Sequence, residues 1–200
     1  MATAEEDNFF GKHSGVEPGP YRWEHVVFEA PDPKYTIKRW QQAAGGYAAV
    51  WATDNTREAI FDAMQRKETY ATTGPRMTVR FFGGWDFNKD DMLSRIPASV
   101  GYAKGVPMGG DLPAAPGANK APSFLVAAMK DPYRGNLDRI QIVKDWMEKS
   151  GNANEKVFDV VWSGARKVGA NGKLPPAGNT VDVKNATWEN SIGSPELIGA

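Results

Sequence analysis

Residues 57–76, REAIFDAMQRKETYATTGPR, decide how the rest of the chain is read. The stretch opens as an amphipathic helix, passes through a short polar strand, and breaks at Gly74-Pro75 into a new strand. Ile60, Ala63, Met64 and Lys67 stand at the i, i+3, i+4 and i+7 positions of one helical face, with Lys67 able to snorkel at its end. Just upstream, Asn55 suits an N-cap, and Glu58 three residues on completes a capping box. Before that, GGYAAVWA (45–52) is a short apolar run bounded by glycines and by Thr53-Asp54-Asn55, the pattern of a strand buried on both faces. Strand, tight turn and capped helix make one βα unit.

Beyond Gly74-Pro75 the period becomes two. Met77, Val79 and Phe81 alternate with Thr78, Arg80 and Phe82. Residues 83–121 read as a long Gly-, Pro- and Asp-rich loop region with a short helix near 89–95. Three strand candidates follow: SFLVAAMK (123–130), LDRIQIVKDWM (137–147) and EKVFDVVWS (155–163). Ser150-Gly151-Asn152 predicts a hairpin loop between the last two. Residues 180–188 suggest one more strand. In the other direction, residues 1–40 carry Gly15, Pro18, Gly19, Pro20, Pro31 and Pro33, and read as an extended arm that would drape over something else. The expected class is α+β. Residues 1–75 hold a loop-rich arm and a βα unit, and residues 76–200 a mainly antiparallel, sandwich-like β domain.

The chain has 24 basic and 24 acidic residues, so its net charge is zero, which argues against nucleic acid as the main partner. It has no cysteine, which excludes disulfides, zinc–thiolate sites and a cysteine nucleophile. No apolar run approaches the roughly 20 residues of a membrane helix. The start, MATAEED, has neither the basic nor the apolar region of a signal peptide, and the expected compartment is cytoplasm or periplasm.

Candidate chemistry is sparse. Glu5, Glu6 and Asp7 could supply carboxylates to a metal, although a solvated terminal segment is the plainer reading. His13 and His25 are the only histidines and form neither His-x-His nor His-x-x-x-His, too few for a dinuclear hydrolase. Asn55 and Arg57 lie at the carboxyl end of the βα unit's strand, where α/β barrels carry their sites. Arg57 could bind an anion there with the helix N-terminus, against a plainer role in capping and surface pairing. Gly83-Gly84 and Gly109-Gly110 lack the Lys-Ser or Lys-Thr of a phosphate loop, and Ser163-Gly164 lacks the context of a nucleophile elbow. Seven tryptophans could make a sugar platform but are more often core.

Several long motifs carry a family resemblance. EEDNFFGK (5–12), AAVWATDNTREAIFDAMQRKETYATTGPRMTVRFFGGWDF (48–87), GYAKGVPMGGDL (101–112), APSFLVAAMKDPYRGNLDRIQIVKDW (121–146), EKVFDVVWSGARK (155–167) and GNTVDVKNATWENSIGSPEL (178–197) closely resemble the bacterial domain of unknown function (DUF) 3604 family. That family looks related to the PHP superfamily of metal-dependent phosphoesterases, which have distorted (β/α) barrels with His, Asp and Glu ligands. The resemblance is to the carboxyl-terminal part. The family's His-x-His motif lies far upstream, and an Asp-Thr-His motif is expected just before the segment matching residues 5–10. The resemblance implies that this chain is a fragment carrying the terminal βα piece of a barrel and a β domain lacking its final strand. The divalent ions (zinc, manganese or iron) would belong to the intact parent, with no cofactor or metal site in this chain. Its partner would be the barrel's N-terminal portion or a separate chain, and open strand edges would favour self-association. Glu5, Glu6, Asp7 and Asn55 would lie near the parent's site. The alternative is a non-catalytic β-sandwich module for ligand or protein interaction.

Overall fold

The computed structural model describes residues 26–38 and 46–200. The described residues fall into two compact units, one ending at Ala48 and including Ala71–Gly74, the other comprising Ala49–Tyr70 and Pro75–Ala200.

In the first unit, β1 (Val26–Phe28) and β2 (Ile37–Lys38) form an antiparallel hairpin, with Val26 opposite Lys38 and Phe28 opposite Ile37. Its loop holds a 3-10 turn at Pro33–Tyr35, where the Asp32 side chain accepts from Lys34 N at 3.0 Å. Thr36 Oγ1 accepts from Ala30 N at 3.3 Å. Pro31 and Pro33 therefore build a hairpin loop rather than an extended arm, since a fixed φ suits the first position of a turn. The rest of the expected arm lies outside the described residues. Elsewhere in this unit Gly46 has φ +141, and a Cβ there would lie 2.8 Å from Thr72 O.

In the second unit the helix α1 spans Arg57–Gln65. Its N-cap is Thr56, not Asn55: Thr56 Oγ1 accepts from Ala59 N at 3.2 Å, so the expected Asn55–Glu58 box does not form. Lys67 has φ 59 and lies past the C-cap Arg66, so it leaves the predicted stripe. Gly109, itself at φ +83, packs so close to Lys67 that a Cβ would meet Lys67 O at 2.3 Å. Strands β3 (Ala48–Val50) and β4 (Thr69–Ala71) flank the helix and pair as a two-stranded sheet, and Trp51 N donates to Glu68 O at 2.9 Å. The expectation of a strand buried on both faces is not met. Among the described residues β3 pairs with β4 alone, and Ala48 is exposed.

The main sheet is antiparallel, in the order β12 (Glu196–Gly199), β7 (Ser123–Met129), β5 (Thr78–Gly84), β6 (Gly105–Pro107). Strand β5 pairs with β7 over seven positions, from Thr78↔Met129 to Gly84↔Ser123. The two-residue period then sorts the side chains. Thr78, Arg80 and Phe82 share one face with Ala127 and Leu125, while Phe81 and Phe124 stack at 5.3 Å on the other. Phe82 and Leu125 are fully buried and, with Phe87, form a core against which Ala98, Val100 and Ile198 pack.

A helix inside the expected loop region covers that core. It is α2 (Pro97–Lys104), which runs directly into β6. PASVGYAK lacks a helical apolar stripe, so periodicity misses it. Its packing depends on Gly101, whose missing Cβ would stand 2.4 Å from the Phe82 ring. Before it, the short helix expected near 89–95 is a 3-10 turn, Lys89–Leu93, closed by a capping box between Asn88 and Asp91. Lys104 Nζ reaches the buried Asp91 at 2.6 Å.

Strands β8 (Arg139–Met147) and β9 (Ala153–Trp162) form a long antiparallel hairpin, Met147 opposite Ala153, turning where Ser150-Gly151-Asn152 predicts. The single strand expected at 180–188 is instead a small hairpin of β10 (Val181–Asp182) and β11 (Thr187–Trp188), because Asp182 accepts from Lys184 N and Asn185 N and folds the chain back. The fold is thus α+β and mainly antiparallel, with no closed barrel among the described residues.

Candidate functional site

A polar cluster of the second unit grows from the C-terminal end of α1. Arg66, its C-cap, turns its guanidinium onto Glu68, Nε to Oε1 at 2.8 Å. Glu68 is 4% exposed, so its charge must be matched locally. The second oxygen, Oε2, accepts the hydroxyl of Tyr102 from α2. Tyr102 in turn accepts from Arg80 Nη1 at 3.2 Å, and Arg80 comes from β5. The Arg80 guanidinium lies 3.4 Å over the Trp51 ring, and Trp51 Nε1 donates to Val79 O at 2.9 Å. Behind it Tyr70 stacks on Trp51 at 6.0 Å, with its hydroxyl donating to Met77 O at 3.1 Å. The β pleat explains the placement: Arg80 is two residues from Phe82, so it shares the core-facing side, and it lies beside the first turn of α2.

These contacts set the charges. Burial works to raise the Glu68 pKa, but the hydrogen bonds from Tyr102 and Arg66 outweigh it and hold the carboxyl below its ordinary value. Burial and the bond to Glu68 push Tyr102 up, and burial pushes Tyr70 up. The bond to Glu68 raises Arg66. Glu68 is therefore a fixed anion at neutral pH, and Tyr102 a fixed hydrogen-bond donor.

Arg80 and Trp51 also wall a cavity of about 270 Å³, together with Thr78, Arg95, Met129 and Glu196. A larger apolar cleft of about 560 Å³ lies between the main sheet and the β8–β9 hairpin, lined by Phe124, Val126, Ile142, Val160 and Ile198.

The residues singled out from the sequence are elsewhere. Asn55 and Arg57 are exposed, and Arg57 lines a shallow surface hollow with Glu58, Phe61 and Met64. Glu5, Glu6, Asp7, His13 and His25 lie outside the described residues. Ser163 is buried; its hydroxyl donates to Asp138 O at 3.2 Å and accepts from Arg166 Nη2 at 3.1 Å, a structural pattern. Sequence reasoning missed Glu68, Arg80 and Tyr102 altogether. The one available signal was a carboxylate and an arginine inside otherwise strand- and helix-like segments.

A family model described as "Protein of unknown function (DUF3604)" matches residues 1–200. The chain belongs to the DUF3604 family. No curated protein and no solved structure matches it. Among the described residues of this DUF3604 chain, no three His, Cys, Asp or Glu side chains converge as metal ligands, so these residues do not fit a divalent ion. Among the same residues no helix is long and apolar enough to cross a membrane.

Proposed function

We propose that this DUF3604 chain is a carboxyl-terminal, binding-and-wall part of a PHP-like, metal-dependent hydrolase, whose divalent ions are held elsewhere in the parent. In this reading β3 and α1 are the terminal βα piece of the barrel, and the main sheet belongs to an appended domain.

One observation carries the division of labour. Every side chain among the described residues whose pKa moves does so away from neutrality: Glu68 and Asp91, Asp131, Asp159 and Asp182 down, Tyr70 and Tyr102 up, Arg66 and Arg139 up. A general acid or base works best with a pKa near the operating pH. In the Arg66–Glu68–Tyr102–Arg80 cluster these groups keep a fixed charge and fixed donors beside the cavity that Arg80 lines, which suits binding and positioning.

The test is a pair of measurements. The full-length parent should contain divalent metal and hydrolyse members of an ester panel, and the 200-residue chain alone should do neither. Metal-dependent turnover of nitrophenyl phosphate by the isolated chain overturns this reading.

The second reading, a non-catalytic interaction module, is favoured by one face of the β8–β9 hairpin, where Val143 is 52%, Met147 73% and Val157 49% exposed. Such a patch pairs with other surfaces, including a second copy of the chain. A metal-free parent inert to every ester, together with concentration-dependent light scattering, supports this alternative.

A further inference from the structure

We infer that the cavity walled by Trp51, Thr78, Arg80, Arg95, Met129 and Glu196 is a binding site for a small organic oxyanion, a molecule with one carboxylate or phosphate head and a compact apolar body. The proposal does not depend on the hydrolase reading.

Arg80 is the anchor. Its guanidinium is held against the Trp51 ring at 3.4 Å, and Nη1 is tied to Tyr102. Tyr102 is fixed by the buried Glu68, and Glu68 by Arg66. The carboxylate at the root of this chain already has two donors, so it does not neutralise Arg80 by direct contact. The rest of the planar fork is left for a ligand, and a pre-positioned fork binds an oxyanion at low entropic cost. Ion pairs in this unit take up Arg66, Arg139 and Arg166, whereas Arg95, which also lines the cavity, makes none among the described residues. The cavity therefore receives two arginines.

The rest of the lining sets the body of the ligand. Ile96, Pro97, Ala98, Ala127, Ala128 and Met129 give apolar walls, and about 270 Å³ is the size of a one-ring molecule. The first turn of α2 faces the same space with no side-chain cap at Ile96, which adds a small favourable field for an anion. Glu196 sits opposite Met129, and Met129 opposite Thr78, so Glu196 lies two strand spacings from Thr78, roughly 10 Å. That carboxylate repels a second negative group at the far end and, with the Thr78 hydroxyl, accepts a ligand hydroxyl or ammonium. The site selects a ligand with a single anionic head group.

The test uses the 200-residue chain and three probes, benzoate, phenyl phosphate and terephthalate, titrated while the indole N–H resonance of Trp51 is followed by NMR. Benzoate or phenyl phosphate should shift that resonance saturably, and whichever binds tighter names the head group. Terephthalate, with its second carboxylate, should bind at least several-fold more weakly than benzoate. Arg80→Gln should weaken binding about tenfold or more, the scale of a lost charge-assisted bidentate contact. Because Arg80 also supports the cluster, Arg95→Gln and Thr78→Val supply variants that leave the cluster intact, and each should weaken binding several-fold. Arg57→Gln, on the exposed start of α1, should leave it unchanged. No saturable shift with either benzoate or phenyl phosphate, or equal affinity in the native chain and both Arg95→Gln and Thr78→Val, overturns the proposal.

Discussion

Tyr102 donates its hydroxyl to Glu68, and this bond ties α2 to the end of α1 across 34 positions of sequence. The pair is a closed arrangement, because Glu68 also accepts from Arg66 and Tyr102 also accepts from Arg80. Removing one member exposes the others. Tyr102→Phe should destabilise the chain by about 1–2 kcal/mol, the cost of leaving a buried acceptor short of a donor. Glu68→Ala should cost about 3 kcal/mol, since it breaks a buried charge arrangement rather than a surface pair. Urea unfolding of the two single variants and the double variant should give a coupling energy above about 0.5 kcal/mol. Strict additivity would show that the two side chains do not interact.

The same cluster sets the pH dependence. The Glu68 carboxyl titrates below its ordinary 4.5 in the folded chain, so as the pH falls the unfolded chain takes up the proton first. Its contribution is complete above the ordinary value and is lost as pH drops through the folded one. Asp131 and Asp159, each held down by hydrogen bonds, act with the same sign. Tyr102 and Tyr70 titrate above their ordinary 10.0, so their contribution is present below that value and lost at still higher pH. The urea midpoint should be flat through neutrality and fall on both sides. In Glu68→Gln the acid limb should be shallower.

The elements that local pattern specifies were legible in the sequence. The helix at 57–65, the alternating strand read at 77–82, which runs on through Gly83 and Gly84, and the hairpin of β8 and β9 with its Gly151 loop follow from period and turn chemistry. Elements specified by packing were not. Helix α2 exists because Gly101 admits the Phe82 ring, a contact between residues 19 positions apart that no window of PASVGYAK reveals. Thr56 displaced Asn55 as the cap because both are good caps and only the chain's path chooses between them. The polar cluster was invisible for a related reason. Glu68 and Arg80 look like surface residues until β5, α1 and α2 are brought together, and the burial of Glu68 is a property of that assembly.

Gly101 gives a prediction in which two rules oppose each other. In an exposed helix interior, Gly→Ala stabilises by about 1 kcal/mol. Here the new methyl would lie 2.4 Å from the ring of fully buried Phe82, well inside van der Waals contact. Overpacking of this kind costs about 1–3 kcal/mol, so the net effect of Gly101→Ala should be destabilising by chemical denaturation. Phe82→Leu, which vacates part of the ring's space, should recover some of the loss when combined with Gly101→Ala. A Gly101→Ala chain more stable than the parent would mean that α2 does not pack on Phe82 as described.

Arg139 and Arg166, both ion-paired to Asp138, hold the segment after β9 by the reach of their forks as well as by their charge. Arg139 donates to Leu174 O at 2.8 Å and Pro175 O at 2.9 Å, while Arg166 donates to Pro175 O at 2.8 Å and Asp138 O at 2.7 Å. Asp159 completes the hold by accepting from Leu174 N at 3.2 Å. Several carbonyls are thus met by two planar donor sets that reach in different directions at once. A lysine keeps the positive charge but presents its donors from a single atom, so it cannot span them. Arg139→Lys should therefore leave the main sheet intact and loosen residues 163–178. Amide exchange in that segment should accelerate and trypsin should cut earlier at Lys167 and Lys173, while exchange in β5 and β7 stays unchanged. Uniform protection across both regions in Arg139→Lys would show that charge alone holds the segment. Loss of protection in β5 and β7 as well would show that the segment and the main sheet open as one cooperative unit.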